Sequence, residues 1–318
     1  MFKRLLVTGG AGFMGSAFVR FALERAEKIV TLDLLTYAGN LRHLPDDPRH
    51  IFIHGDILNG ALVEEIVRTH AIDAIVHFAA ESHVDRSIED PRLFYRTNVD
   101  GTISLLEVVR RFPWIHFHQI STDEVYGSIH TGAFTEESPY RPNSPYAASK
   151  AAADHFVMAY AKTYGLSTTI SHSSNNYGPR QFPEKFIPRM IANCLTKAPL
   201  PLYGTGENVR EWLFVEDHAE AVWLILQEGR RGERYNIGGG LEKRNIDLLH
   251  LLIQQLAAVQ GVDSSHYTQR IAFVADRPGH DFRYALDCSK IERELGWHPR
   301  HAFEAGLDKT ISWYVEVS

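Results

Sequence analysis

Short apolar runs alternate with longer amphipathic stretches through the first half of the chain. The runs are Leu5–Val7, Ile29–Leu32, Ile51–Ile53, Ala74–Phe78, Ile115–Ile120 and Thr168–Ile170. Between several of them the apolar spacing predicts helices, over Gly12–Arg25, Asn59–Thr69, Arg92–Arg111 and Tyr146–Tyr164. Near-continuous apolar strands separated by helices predict a parallel sheet covered on both faces. Right-handed crossovers then wind it into a doubly wound, Rossmann-type sheet. After about residue 175 the texture changes. Pro and Gly cluster at Gly178-Pro179, Pro183, Pro188, Pro199, Pro201, Gly204 and Gly206, with shorter elements between them. Sheet-like material returns around Trp212–Ile237, as WLFVEDH, a helix and YNIGGG. The expected fold class is therefore α/β. Residues 1–174, rejoined at about 212–237, form the doubly wound domain, and 175–211 with 238–318 form a smaller C-terminal α/β domain that takes the substrate.

The first strand runs into a glycine-rich turn and then a helix. Gly9, Gly12 and Gly15 are spaced G-x-x-G-x-x-G, a variant of the dinucleotide fingerprint. Such glycines let the backbone approach a pyrophosphate at a helix N-terminus, where unpaired N–H groups favour an anion. Asp33 ends the second strand, 18 residues beyond Gly15, where a carboxylate accepts from the adenosine ribose. It also repels a 2′-phosphate, so NAD is expected rather than NADP. Asp56-Ile57 follows the third strand; the carboxylate suits either the adenine amine or a helix N-cap.

Tyr146 and Lys150 lie four apart at the start of a predicted helix and so share one face. Holding a free phenol as phenolate at neutral pH costs about 4 kcal/mol. A neighbouring ammonium and a positive nicotinamide ring offset much of that, which makes the pair a general base for a sugar hydroxyl. Ser121-Thr122-Asp123-Glu124-Val125-Tyr126-Gly127 closes a strand at the end where open α/β sheets place their sites. Two adjacent carboxyl groups there can act as acid and base if burial separates their pKa values, or simply cap a turn.

The stretches TGGAGFMGS, AAESHVDRS, STDEVYG, SPYAASK, SNNYGPRQFPEKFIP, REWLFVEDH, YNIGGG and DRPGHDFRY resemble the extended short-chain dehydrogenase/reductase family. The nearest likeness within it is to the nucleotide-sugar 4,6-dehydratases, over residues 8 to 284. That resemblance implies NAD-dependent dehydration of dTDP-glucose to its 4-keto-6-deoxy product, with UDP-glucose dehydration or nucleotide-sugar 4-epimerisation as alternatives. It implies that Tyr146, aided by Lys150, takes the C4 hydroxyl proton, Glu124 takes the C5 proton, Asp123 protonates the departing C6 hydroxyl, and Thr122 bonds O4. Phe13, Met14, Asp33, Leu34, Leu35, Thr36, Asp56, Ile57, Phe78, Ala79, Ala80, Glu81, Ser82, Thr97 and Asn176 are the implied NAD contacts, with the glycine turn, Tyr146 and Lys150. Ser82, Thr122, Asn175, Lys185, Phe186, Pro201, Tyr203, Arg210, Asn245, Asp276, Arg277, Pro278, Gly279 and His280 are the implied nucleotide-sugar contacts, with Arg210 and Arg277 on the diphosphate. Relatives pair two long helices across a two-fold axis, so a homodimer through a four-helix bundle of Arg92–Arg111 and Tyr146–Tyr164 is expected. The sequence departs from the family's pattern at Leu34, where a lysine is usual, and at Met14, where an isoleucine is usual.

Composition narrows the picture further. With 318 residues, 44% hydrophobic and 23% charged, the chain has a globular balance. A net charge of −6 and no block of like charge argue against nucleic-acid and anionic-membrane partners. No apolar run nears the roughly 20 residues that span a bilayer. The strand that begins almost at Met1 leaves no room for a signal peptide, and two cysteines, Cys194 and Cys288, argue against a disulfide framework. A cytoplasmic enzyme is expected. His116 and His118 alternate on a strand without companion ligands, so no metal site is expected.

Overall fold

The computed structural model describes residues 1–317. The chain runs β1 (Arg4–Thr8), α1 (Phe13–Leu23), β2 (Lys28–Asp33), β3 (His50–His54), α2 (Gly60–His70), β4 (Ala74–His77), α3 (Val84–Glu89), α4 (Pro91–Phe94), a π-helical stretch (Tyr95–Asp100), α5 (Gly101–Arg111), β5 (His116–Thr122), α6 (Pro145–Tyr164) and β6 (Thr168–Ser173). There follow β7 (Asn175–Tyr177), α7 (Phe186–Leu195), β8 (Leu200–Tyr203), β9 (Val209–Phe214), α8 (Val215–Glu228), β10 (Arg234–Ile237), β11 (Glu242–Arg244), α9 (Asn245–Gln260), α10 (Ser265–Thr268), β12 (Ile271–Val274), α11 (Ser289–Leu295) and α12 (Phe303–Val317). All six apolar runs are strands.

Seven strands form one parallel sheet in the order β10-β6-β5-β4-β1-β2-β3. Its two faces feed separate cores. Leu5, Val7, Ile29 and Val76 pack under α1 and α8, while Leu6, Val30, Ile75 and Phe117 pack under α2, α5 and α6. Each fully buried aliphatic side chain contributes about 1.5–3 kcal/mol, so apolar residues dominate these strands. Polar residues break the pattern most on β5 and β6. His116 and His118 point into one face and bond Ser167, Thr169 and Ser171 at 2.8–3.1 Å.

The strand order reverses at β1, which pairs with β2 on one side and β4 on the other. Consecutive connections leave in opposite directions there and open a crevice at the C-terminal edge. Two smaller sheets, β11-β9-β7 and β12-β8, lie beyond. The segment Trp212–Phe214 stands in the first of these, because β9 pairs with β7 and β11 and its Trp212 and Phe214 rings pack on Tyr177. The large sheet is rejoined only through α8 and β10.

Arg92–Arg111, expected as one regular helix, is interrupted by the π turn. The extra residue there lets Asn98 face inward, where its amide bonds both the N–H and the C=O of Glu81 at 2.9 and 3.0 Å and the Ser149 hydroxyl at 2.8 Å. Helix α6 has a clean start: Ser144 caps it by accepting from Ala147 N–H at 3.1 Å, and Pro145 occupies the first turn. Among the described residues no helix is long and apolar enough to cross a membrane.

Candidate active site

The glycine turn lies at the crevice and is sterically obligatory. Gly9 has φ +69°, and a Cβ there would lie 2.5 Å from the Ala79 nitrogen. A Cβ on Gly15 would lie 2.3 Å from the Gly9 carbonyl oxygen. Backbone from the end of β1 therefore touches backbone from the end of β4, with Gly12 at the N-cap of α1, Phe13 opening the helix and Met14 against the core. Asp33 is buried; its carboxylate accepts from Ala11 N–H at 2.9 Å and Leu35 N–H at 2.8 Å, which sets it beside the turn. Leu34 is exposed and Leu35 takes φ +53°, so the chain bends sharply here towards Thr36. Asp56 accepts from Leu58 N–H at 2.9 Å in a turn, and it is Asn59 that caps α2. Ile57 is a core residue.

On the β4 side, Phe78 packs edge-on to His218, and Ala79, Ala80, Glu81 and Ser82 line the exit from the strand. Thr97 is half-buried in the π turn, next to the Asn98 amide that holds Glu81. The cradle suits a dinucleotide on its own geometry. Only glycines fit the close approach, and buried Glu81 Oε2 and Asn176 Oδ1 have no hydrogen-bond partner.

The reacting groups gather one strand further on. Thr122 ends β5, and Asp123 and Glu124 enter a tight 3-10 turn in which the Thr122 hydroxyl accepts the Glu124 N–H at 3.4 Å. Asp123 is buried, with Oδ2 unpartnered; burial, then Glu124, push its carboxyl well above the usual range. Glu124 is half-buried. Burial raises it, while Arg277, Lys185 and Arg210 pull it back down. Tyr146 is buried near the start of α6, and its phenol is raised by burial and then by Glu124, against a hydrogen bond from Thr122. Lys150 is buried too and falls to about 8 because burial penalises its charge, against the pull of Asp154. Its ammonium donates to the Ile120 carbonyl at 2.6 Å, so the shared helical face brings the pair to one site without a direct bond between them.

The C-terminal part closes over these groups. Lys185 donates to the Ser82 carbonyl at 2.7 Å, joining the two halves, and Phe186 opens α7 beside Trp212. Asn175 Oδ1 is buried and unpartnered. Arg210 is buried, with Nη1 and Nη2 on the carbonyls of Val209, Phe282 and Asp281 and its plane over Tyr284 at 4.4 Å. Arg277 lies 3.6 Å from Asp85, with Nε unpartnered. Tyr203 donates to Asp85 at 3.1 Å and meets the His280 ring edge-on. Asp276 holds His280 at 2.6 Å, and burial takes that imidazole down to about 4. Gly279 has φ +67° with Asn143 O 2.7 Å from its absent Cβ, beside exposed Pro278. Pro201 lies on β8, opposite Ala272 of β12, and Asn245 begins α9.

Several residues that shape the site escaped the sequence reading. Asn98 orders the β4 exit. Asp281 fixes Arg210 through its carbonyl and takes the Tyr284 hydroxyl at 2.6 Å. Asp154, fully buried one helical turn beyond Lys150, accepts from Ser121 at 2.6 Å. A lone Asp on the small-residue face AAAD was the only signal for the last.

A buried phenol reaching a dinucleotide crevice from the next strand's helix is the working arrangement of the extended short-chain dehydrogenases/reductases, and this chain is of that class. Residues 6–310 match the family described as GDP-mannose 4,6 dehydratase, and the chain belongs to it. It is 50% identical to the probable dTDP-glucose 4,6-dehydratase of Sinorhizobium fredii, over 98% of this chain and 93% of that one. Among solved structures, DesIV, the dTDP-glucose 4,6-dehydratase of Streptomyces venezuelae with NAD bound, is similar with a TM-score of 0.93 and 51% identity, over 98% and 97% of the two chains. The UDP-glucose 4-epimerase of Thermus thermophilus, with NAD, reaches a TM-score of 0.89 at 31% identity over 99% and 100%. Backbone shape alone therefore does not separate dehydratase from epimerase.

Proposed function

We propose that this enzyme removes water from dTDP-glucose to give the 4-keto-6-deoxy sugar nucleotide. Support comes from the dehydratase relatives at about half identity over nearly the whole chain. The single observation that carries the reading is geometric: Asp123, buried with Oδ2 unpartnered, and Glu124 share one tight turn after Thr122, and the buried Tyr146 at the start of α6 packs next to that turn, with Glu124 raising its phenol.

NAD, when bound, supplies the hydride acceptor for C4, the hydride donor for C6 and a positive charge beside Tyr146. Tyr146 receives the C4 hydroxyl proton, with Thr122 bonding that oxygen and Lys150 adding the second positive charge that phenolate needs. A ketone at C4 acidifies the C5 proton. Glu124, facing three cations, is the carboxylate that takes it. Asp123, whose carboxyl burial and then Glu124 push well above the usual range, gives its proton to the leaving C6 hydroxyl. The Glu124 proton then returns to C5. An epimerase has no use for such a pair. Arg210 and Arg277 hold the diphosphate.

In this reading residues 1–174 with about 215–237 serve the cofactor, and 175–214 with 238–318 the nucleotide-sugar. Exposed Leu93, Tyr95, Phe156 and Tyr164 on the long helices support a homodimer through a four-helix bundle. Free Cys194 and Cys288 agree with a cytoplasmic setting. The test is incubation with dTDP-glucose or UDP-glucose and no added NAD, following the 4-keto product by its absorbance in alkali. Preference for the thymidine nucleotide is expected; an epimerised product without ketone would overturn the reading.

A further inference from the structure

We propose that Glu184 is the keystone of a clasp that keeps NAD in its crevice between turnovers. This rests on the cofactor half of the function proposed above. The short stretch Phe182–Lys185 reaches both walls of the crevice. At one end the Phe182 ring meets Tyr37 edge-on at 5.4 Å, and Tyr37 lies four residues past Asp33, just beyond β2. At the other end Lys185 holds the Ser82 carbonyl, just beyond β4. In the sheet β1 lies between β2 and β4. A strap tied to the ends of both neighbours must therefore cross the end of β1, which is where the glycine turn receives the pyrophosphate.

Glu184 locks that strap. Its carboxylate sits 3.2 Å from the Arg86 guanidinium, and Arg86 in turn lies over the Tyr37 ring at 3.7 Å. Three segments remote in sequence thus meet through one carboxylate that is only 14% exposed. Exposed ion pairs contribute little. Here the carboxylate is shielded although Arg86 is half exposed, the guanidinium is stacked on an aromatic face, and the neighbouring Lys185 bonds the opposite wall, so breaking the pair loosens the strap as a unit. Nothing else in the proposed chemistry uses Glu184 or Arg86. Their role is retention, which suits a cofactor that ends each cycle in its starting state.

The test compares parent, Glu184→Gln, Arg86→Ala and Tyr37→Phe proteins after exhaustive gel filtration. Bound NAD is measured by acid extraction, and its release is timed with an excess of a second dehydrogenase that captures free NAD. Glu184→Gln and Arg86→Ala should release NAD about tenfold faster than the parent and emerge partly empty. Tyr37→Phe, which keeps the ring, should show a smaller change. Melting temperatures at saturating NAD separate a loosened clasp from a damaged fold. Release rates for both charge variants within about twofold of the parent would overturn the clasp, as would a parent that retains no NAD. A parent that retains NAD yet leaves dTDP-glucose unconverted would sink the dehydratase reading instead and leave the clasp standing.

Discussion

The Lys150 ammonium donates to the Ile120 carbonyl at 2.6 Å from a fully enclosed position, two residues before Thr122. That bond anchors the second turn of α6 to the end of β5, so one side chain ties the helix that carries the phenol to the strand that carries the carboxyl pair. The anchoring has a cost. A lysine held at about 8 is a buried cation without a carboxylate in direct contact.

Lys150→Met should therefore abolish turnover while leaving the melting temperature at pH 7 unchanged or higher. The sign follows from linkage. Between about 8 and the unfolded value near 10.4 the native chain has shed a proton that the unfolded chain keeps, so stability rises with pH across that window. Denaturant melts of parent and variant from pH 7 to 10 check this; the rise should be missing in the variant.

Asp123→Asn should lower kcat by about 100- to 10,000-fold and stabilise the protein at neutral pH. The native carboxyl is raised well above its unfolded value, so folding binds a proton, and stability is lost as pH climbs through the range between the two. An amide has nothing to ionise. Thermal melts at pH 4 and 7 read the difference, and a parent no less stable relative to the variant at pH 7 than at pH 4 would contradict the assignment.

Glu124→Gln should retain NAD and bind the sugar nucleotide but stop exchange at C5. Turnover in deuterium oxide labels C5 of the product in the parent; residual product from the variant should form about 100-fold or more slowly. Full dehydration by the variant would leave Glu124 without its role.

Gly15→Ala should be purified without NAD and melt lower. The new methyl would stand 2.3 Å from the Gly9 carbonyl, a backbone atom that cannot yield without moving the turn. A loss of roughly 1–3 kcal/mol is the usual result of such overpacking. Cofactor content and a denaturant midpoint measure both effects.

Phe156→Asp places a charge on the exposed face of α6. Light scattering should show a monomer for the variant and a dimer for the parent. A monomeric parent would remove the four-helix interface.

Much of this was written in the one-dimensional pattern, and for a clear reason. A strand buried on both faces is mostly apolar, so Leu5–Val7 and Ala74–Phe78 announce a parallel sheet before any contact is known. A pyrophosphate cradle needs glycines at set intervals, and the four-residue spacing of Tyr146 and Lys150 requires a shared helical face. Local geometry dictates those residues, so sequence alone determined them. Distant geometry dictates the others. Asn98 faces Glu81 only because a π turn shifts it inward, and Trp212–Phe214 joins the small sheet because its aromatic partners are there. The Lys150 ammonium turned to a backbone carbonyl, and Glu184 found Arg86, because chain segments far apart in sequence pack into one crevice. Such pairings depend on which surfaces meet, and that was decided by the tertiary structure.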